Sequence, residues 1–205
     1  LLLHRQIGFM KSRDLGFDRE NVIVVQRLTD KVRQSYKSLK GELLQHPDIV
    51  SVAASQGVPG ENRSLQNGRK AEDDPTSAIM IYENRIQHDY LKTYGMTIVE
   101  GRDFDPAMKT DTAAFIINQT AARKLGLTDP IGKEIVVWQY PGKVIGVVND
   151  YNFFSMHHEI DPSVFTMYSD WFRNISIRIN PGGTKNALAF IEEQFSEADP
   201  NYSFE

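Results

Sequence analysis

Cysteine is missing from this chain of 205 residues. Its absence excludes thiol nucleophiles, CxxC redox motifs, thiolate zinc sites and iron–sulfur clusters. It does not indicate a compartment, because a chain without cysteine is tolerated in oxidising and reducing surroundings alike. Long apolar runs are missing too. Runs such as residues 1–3 and 22–25 fall far short of the roughly 18 residues that cross a bilayer.

The chain also lacks an excess of positive charge. Its 23 Lys and Arg residues stand against 27 Asp and Glu residues, a formal net charge of −4. We therefore expect no nucleic-acid partner and no attraction to an anionic lipid surface. The hydrophobic share of 40% and the charged share of 24% exclude a disordered or collagen-like chain. The length suits one large domain or two small ones.

Known catalytic motifs are scarce. The chain contains neither GxGxxG nor GxSxG, so no dinucleotide fingerprint and no nucleophile elbow is predicted. Residues 126–134 (GLTDPIGKE) resemble a phosphate-binding loop only superficially. Five residues rather than four separate the glycines, and Glu134 stands where a Mg²⁺-binding hydroxyl is required. Ser55 and Ser155 have no His or Asp partner at a recognisable spacing.

Two clusters could in principle bind a metal or perform acid–base chemistry. The first is His157, His158 and Glu159, which could ligate zinc, but adjacent residues rarely point the same way and a polar turn is favoured. The second is an acidic stretch that suggests a calcium loop or a carboxylate pair, although a solvated turn is favoured. Its members are Glu100, Asp103, Asp105 and Asp111. We predict no catalytic residue, no metal ligand, no cofactor-binding residue and no cofactor.

The first third of the chain predicts a β-α-β unit. Leu3, Ile7 and Met10 have helical spacing and predict a helix over the first dozen residues, and residues 21–25 (NVIVV) predict an interior strand. Residues 32–43 predict a helix with Thr29 or Asp30 as its N-cap, and residues 48–55 predict the second strand. Residues 57–77 contain few large apolar side chains and predict a long solvated loop.

The rest of the chain predicts a β-rich middle and a second helix-containing unit. In the last third, the alternation of Ile175, Ile177 and Ile179 with polar residues predicts a strand with one buried and one wet face. A helix capped by Thr184 and a terminal strand at residues 202–205 follow. The other predicted elements are strands at 78–86, 96–99, 112–117, 134–138, 143–148 and 163–168, helices at 88–94 and 119–125, and a hairpin turn at Pro141-Gly142.

This element order predicts an α+β fold with two lobes. The outer thirds would form a split β-α-β sheet, and the middle third an inserted β-rich lobe. The paired aromatic residues favour burial in the core over an exposed contact patch. They are Phe153, Phe154, Trp171 and Phe172.

Six blocks in order carry a resemblance that spans nearly the whole chain. They resemble the extracytoplasmic core domain of MacB/FtsX-type ABC transporter permeases, most of all those of Bacteroides-like bacteria. Gln119 and Asn149 depart from the residues most frequent in the family, acidic and Lys respectively. The blocks are residues 14–23 (DLGFDRENVI), 47–52 (PDIVSV), 95–104 (GMTIVEGRDF), 117–126 (INQTAARKLG), 129–133 (DPIGK) and 144–151 (VIGVVNDY).

The resemblance implies an organisation into three parts. Residues 1–13 would be a stalk helix continuing from a transmembrane helix. Residues 14–88 and 150–205 would form a porter-like subdomain, and residues 89–149 a sabre-like subdomain. The domain would lie on the extracytoplasmic face of the bacterial inner membrane, within a multi-pass membrane protein.

The resemblance also implies a function without bond chemistry. The domain would couple ATP-driven change in the cytoplasm to substrate or partner handling outside it. Its partners would be an ABC ATP-binding subunit or domain, a second permease copy, and an adaptor or exported substrate. Two alternatives stay open: a sensor or adaptor module in which residues 57–77 close over a small molecule, and a hydrolase built around Asp103 and Asp105.

Overall fold

The structure, a computed structural model, describes residues 17–18, 20–59, 64–151, 159–167 and 172–202. The strands are β1 Val22–Val25, β2 Ile49–Ser55, β3 Ser64–Lys70, β4 Ile79–Ile86, β5 Ile98–Gly101, β6 Ala114–Asn118, β7 Glu134–Val137, β8 Tyr140–Val148, β9 Ser163–Met167 and β10 Asn174–Ile179. The helices are α1 Asp30–Gln34, α2 Tyr36–Leu43, α3 Tyr90–Thr93, α4 Gln119–Lys124 and α5 Thr184–Ala198, with short 3-10 helices at Pro75–Ser77 and Lys109–Ala113.

Strands β1, β10 and β2 form an open sheet in that order. Because β10 is antiparallel to both neighbours, β1 and β2 run parallel, with α1 and α2 between them in the chain. This is the predicted split β-α-β arrangement. The prediction of an interior strand at residues 21–25 was wrong, since within the described chain β1 pairs with β10 alone and lies at the sheet edge.

Helices α2 and α5 cover one face of the open sheet. Ala187, Ile191 and Phe195 of α5 are fully buried in one cluster with Leu39 and Leu43 of α2 and the apolar residues of the three strands. This spacing of four residues places one stripe of the helix on the sheet. Burial of this apolar surface is the main source of stability for this part of the molecule.

Two details of these helices differ from the prediction. The helix expected at residues 32–43 is divided at Ser35, whose hydroxyl donates to the carbonyl of Lys31 at 3.0 Å and competes with continued helix. The N-cap of α5 is Gly183 rather than Thr184, which is already the first helical residue. The N-cap at Thr29 is confirmed, because its hydroxyl accepts from the amide of Val32 at 3.3 Å.

Six other strands close into a ring. The pairings run β4-β3-β7-β8-β6-β9, and β9 pairs with β4 again. Strand β5 adds to β8 outside this cycle. Closure removes unpaired strand edges. The apolar side chains of these strands form a separate buried cluster that includes Ile81, Phe115, Ile135 and Val144.

The solvated loop predicted at residues 57–77 was wrong in its centre, because residues 64–70 form β3. This strand pairs with β4 on one side and with β7 on the other. Backbone hydrogen bonds hold it in the sheet, so its polar sequence gives no apolar alternation to recognise. Gly68 lies inside the strand, where an added Cβ would stand 2.8 Å from Cγ2 of Ile81.

The hairpin turn predicted at Pro141-Gly142 was also wrong. Val137 pairs with Tyr140, which places the two-residue turn at Trp138 and Gln139, with Trp138 at a φ of 57°. Pro141 and Gly142 lie within β8. A side chain at Gly142 would collide with the carbonyl oxygen of Ala113, so the glycine serves close strand approach and not a turn.

The open sheet and the ring meet where Ser55 of β2 pairs with Ile86 of β4. Strand pairing joins the two proposed subdomains, since β3 pairs with β7 and β9 pairs with β6. The division at residues 88/89 and 149/150 stays a prediction. The stalk helix at residues 1–13 lies outside the described residues, as do residues 203–205 of the predicted terminal strand.

Candidate functional site

The acidic stretch is a structural clamp rather than a catalytic pair. The carboxylate of Asp111, which is 2% exposed, accepts from both terminal nitrogens of Arg102 at 2.6 and 2.8 Å and from the amide of Asp105 at 2.8 Å. The hydrogen bond from Arg102 holds the pKa of Asp111 below its usual value. The prediction of a solvated turn was therefore wrong for Asp111, which is buried and holds the turn together.

The side chains of Asp103 and Glu100 take no part in this clamp. The Asp103 carboxylate accepts from the amide of Phe104 at 2.7 Å, and burial raises the pKa of Asp103. Glu100 is exposed. Among the described residues no group of three or more His, Asp or Glu side chains is arranged to hold a metal.

The segment that resembles a phosphate-binding loop uses its amides internally. Gly126 ends α4 at a φ of 65°. The amide of Gly132 donates to the carbonyl of Val144 at 2.7 Å, and the amide of Lys133 donates to that of Pro130 at 3.1 Å. This turn therefore orients the start of β7 and presents no nest of free amides to a phosphate.

The remaining predicted candidates are only partly described. Phe172 is buried and packs on Tyr36 with ring centroids 4.9 Å apart, which confirms its core role. Ser55 is fully buried in β2, and Glu159 is exposed. Phe153, Phe154, Ser155, His157, His158 and Trp171 lie outside the described residues.

Arg178 of β10 makes several hydrogen bonds to distant parts of the chain. Its guanidinium donates to the carbonyl of Thr93 at 2.7 Å, to the carboxylate and carbonyl of Asp18 at 2.8 Å each, and to the carbonyl of Glu20 at 3.4 Å. The amide of Asp18 donates to the carbonyl of Tyr94 at 2.7 Å. We call Asp18, Glu20, Thr93 and Arg178 the entry junction, because they join the start of the described chain to α3 and β10.

The face of the open sheet around this junction is polar but buried. The hydroxyls of Tyr94 and Ser176 lie 2.8 Å apart, and Thr93 donates to Ser51 at 3.0 Å. The wet face predicted for β10 is thus wrong, since α3 covers it. The only sequence signal was the alternation itself, which indicates polarity but not what lies above the strand.

A second polar centre follows β8. The carboxylate of Asp150 accepts from the amide and hydroxyl of Thr120 at 2.7 and 2.9 Å and from Arg123 at 2.9 Å. The side-chain oxygen of Asn149 accepts from the backbone amide of Thr97 at 2.9 Å, and the backbone amide of Asn149 donates to the carbonyl of Thr97 at 2.9 Å. These contacts fix the ends of α4, β5 and β8 against one another and give both residues structural roles.

An open cleft of about 450 Å³ lies beside the open sheet. Its lining includes three arginines, of which Arg33 pairs with Asp30 at 2.9 Å. The neutral polar lining residues Gln26, Gln56 and Asn174 lie at the ends of β1, β2 and β10. The charged and polar lining residues are Gln26, Arg27, Arg33, Gln56, Arg173 and Asn174. No spacing rule points to this cleft, because Arg173 lies more than a hundred residues after Arg27 and Arg33.

Comparisons with known proteins agree with this α+β architecture. The family described as the MacB-like periplasmic core domain matches residues 7–191, and the chain belongs to this family. Such domains are parts of ABC transporter permeases rather than catalytic enzymes, and they lie on the periplasmic or extracellular side of the membrane.

Solved structures of similar fold include three permease domains. The periplasmic region of MacB from Actinobacillus actinomycetemcomitans is 15% identical with a TM-score of 0.62, covering 89% of this chain and 85% of its own. The extracellular domain of the ABC-type transporter YknZ from Gram-positive bacteria is 19% identical with a TM-score of 0.62, covering 89% and 96%. A domain of a putative permease from Porphyromonas gingivalis is 14% identical with a TM-score of 0.52, covering 79% and 69%.

No curated protein sequence matches the chain. Within the described residues, no helix has both the length and the apolar character that crossing a membrane requires. The family match confirms the resemblance found in the sequence, and the sheet-dominated α+β class is confirmed with it.

Proposed function

We propose that this domain is the extracytoplasmic part of a permease that couples ATP-driven conformational change in the cytoplasm to the handling of a substrate or partner outside the membrane. An ABC ATP-binding subunit or domain would supply the energy, and a second permease copy would complete the transporter. A periplasmic adaptor or an exported substrate would be the object of the movement. The domain itself would break no bond.

The entry junction is the observation that carries the proposal. Residues 1–13 would be the stalk, and Asp18 lies a few residues after it. Arg178 binds Asp18 and Glu20 on the stalk side and Thr93 on the side of α3. A guanidinium is a planar, rigid group with several donors. A displacement of the chain before Asp18 would therefore be passed to β10 and α3 together.

The coupling has a thermodynamic condition. ATP shifts the domain only to the extent that it binds one permease conformation more tightly than the other. The stalk and the entry junction must then differ in position between the two conformations. The two subdomains proposed above, residues 14–88 with 150–205 and residues 89–149, would move together, because strand pairing joins them.

The experiment measures this movement in the full-length permease assembled with its ATP-binding subunit. The domain contains no cysteine, so Gln139→Cys places one spin label per copy at the exposed β7–β8 turn once other cysteines are replaced. Pulsed EPR then gives the distance between the labels of two copies, with and without a non-hydrolysable ATP analogue. We expect the distance distribution to shift when the analogue binds.

Two variants interrupt the coupling at different points. Three glycines inserted after Met10 would make the stalk flexible and alter no contact of the described domain. Arg178→Gln removes the central donor of the entry junction. Both variants should keep ATP hydrolysis and lose the nucleotide-dependent shift.

Arg123→Gln is the matched control, because it also removes an arginine from an ion pair, with Asp150 at 2.9 Å, but lies outside the entry junction. It should keep the shift. An unchanged distance in the wild-type protein, or a full shift in the glycine variant, would contradict the proposed coupling.

A further inference from the structure

A groove lies on the outer face of the ring, where β3 and β7 pair. Gly68 and Val137 are partners in this pairing and face the apolar interior of the ring, next to Ile81. Side chains alternate between the two faces along a strand. The neighbouring Arg69 and Val136, which are also partners, therefore face outwards and line the groove. Its volume of about 370 Å³ suits a small molecule or the end of a peptide.

Trp138 forms one wall of the groove and has a costly backbone angle. It stands at the first position of the β7–β8 turn with a φ of 57°, where glycine or asparagine is favoured. Its ring is 54% exposed and meets Tyr140 edge-on, with the ring centroids 5.5 Å apart. An exposed ring contributes little to the core, and residues held at costly backbone angles concentrate at ligand-binding sites.

The loop between β3 and β4 forms another wall, and Arg69 holds it in place. Pro75 and Ala78 of this loop contribute apolar lining. Nη1 of Arg69 donates to three backbone carbonyls, those of Lys70, Ala71 and Asp73, at 3.0, 3.1 and 2.9 Å. A wall that is fixed before the ligand arrives lowers the entropy cost of binding.

Arg69 also carries the only charge among the described residues that line the groove. No carboxylate within the described chain lies at ion-pair distance from it. Asp73 pairs with Lys70 at 3.4 Å. Asp74, which acts on Arg69 from farther away, accepts from the amide and hydroxyl of Thr76 at 2.9 and 2.7 Å. The donors on Nε and Nη2 of Arg69 have no partner among the described residues, so the guanidinium can still bind a carboxylate.

Three neutral donors line the groove beside Arg69. They are the side-chain amides of Asn67 and Gln139 and the indole N–H of Trp138, none of which has a hydrogen-bond partner in the described part of the chain. A few polar groups that converge on an apolar surface are typical of a site for a small ligand. The predominance of donors favours a ligand that is rich in acceptors.

We propose that this groove binds a carboxylate that is attached to an apolar group. The carboxylate would accept hydrogen bonds from Arg69, and the apolar group would pack on the ring of Trp138 and on Val136. A free organic acid and the C-terminus of a peptide share this chemistry. The proposal does not depend on the coupling role, since it uses residues of this chain alone.

The test titrates the 205-residue chain with N-acetylphenylalanine, and with N-acetylphenylalaninamide as the matched probe that lacks the carboxylate. Isothermal calorimetry gives the two affinities. The chain contains two tryptophans, and the indole N–H signal that disappears from the NMR spectrum of Trp138→Gly belongs to Trp138. We expect one saturable site for the acid and a shift of this signal. The amide should bind about tenfold more weakly or worse, as for lost hydrogen bonds to a charged group.

Trp138→Gly separates binding from folding. Glycine adopts the positive φ without strain, so the variant should keep a melting temperature close to that of the wild-type chain. Loss of the ring should nevertheless weaken the binding of N-acetylphenylalanine by about tenfold. Leu44→Ala is the control, because it shortens an exposed apolar side chain outside the groove. It should bind like the wild-type chain.

Arg69→Gln tests the contact with the carboxylate. It should abolish the preference for the acid over the amide, and this preference is a ratio that a general weakening of the site would not remove. Arg123→Gln is its matched control, since it removes an arginine that lies outside the groove. It should keep the preference.

Two further probes identify the source of the carboxylate. Tighter binding of N-acetyl-glycyl-glycyl-phenylalanine would indicate a peptide end, and tighter binding of 3-phenylpropionate would indicate a free acid. Three results would overturn the proposal: no saturable binding of N-acetylphenylalanine, equal affinities of its acid and amide forms for the wild-type chain, or an unchanged indole signal of Trp138 at saturation.

Discussion

Both faces of β10 are covered by helices, but one is held by apolar packing and the other by hydrogen bonds. On one face, Ile175, Ile177 and Ile179 pack against α2 and α5 in an entirely apolar cluster. On the other, Ser176 and Arg178 are covered by α3 and satisfied by hydrogen bonds. Apolar packing is non-directional, whereas hydrogen bonds fix positions. The comparison indicates that the first face supplies stability and the second sets where the entering chain attaches.

The largest effect should follow a cavity in the apolar face. Phe195 is fully buried between α5 and the sheet, and Phe195→Ala should lower the free energy of unfolding by about 3–5 kcal/mol. Urea denaturation checks this loss. Leu188→Ala on the half-buried side of the same helix is the control and should cost less. Equal losses would mean that α5 does not pack as described.

On the polar face, removal of Arg178 should cost less. Arg178→Gln leaves the carbonyls of Thr93 and Asp18 without their donor, for a loss of about 2 kcal/mol in the free energy of unfolding. Hydrogen exchange should also speed up at the Asp18 amide, which donates to Tyr94. A destabilisation equal to that of Phe195→Ala would remove the proposed contrast between the two faces.

The Tyr94–Ser176 pair offers a finer test. Tyr94→Phe leaves the buried hydroxyl of Ser176 without its partner and should cost about 1–2 kcal/mol. Adding Ser176→Ala should cost little more, because the unsatisfied group is then gone. A double-mutant cycle from urea denaturation measures this coupling. Additive losses would show that the 2.8 Å contact contributes nothing specific.

The smallest effect concerns pH and extends the contrast to the polar clamp beside the ring. Arg102 holds the pKa of Asp111 below its usual value, so the clamp stabilises the fold above the unfolded pKa of about 3.9. This stability is lost as the pH falls through the lower folded pKa. The gap in unfolding free energy between the wild-type protein and Asp111→Asn should therefore narrow from pH 7 to pH 2. A constant gap would exclude the ionised clamp.

Local features of the fold could be predicted from the sequence. Thr29 caps its helix through its side-chain oxygen as expected, and the helix predicted at residues 119–125 begins after Asn118, whose side-chain oxygen accepts from the amide of Ala121. Each of these signals depends on residues a few positions apart. Periodicity likewise located α5 and most strands, because the period of the apolar residues follows directly from backbone geometry.

Features that depend on distant partners could not be predicted in the same way. Strand β3 is polar and depends on β4 and β7 for its hydrogen bonds. The sequence predicts that Arg178 is exposed, because nothing in the local pattern shows that α3 and Asp18 cover it. Arg27 and Arg173 of the cleft are separated by more than a hundred residues, and no spacing rule brings them together.

The way the ring is connected to the open sheet has a consequence for how much the inserted segment can vary. The chain leaves β2 after Ser55 and re-enters β10 at Asn174, and these two residues are direct partners in the sheet. More than half of the sequence, residues 56–173, is therefore an insertion between two paired strands of the open sheet. An inserted segment whose two ends lie side by side tolerates changes of sequence and length. A change of length within residues 56–173 can therefore leave the pairing of β1, β2 and β10 in place.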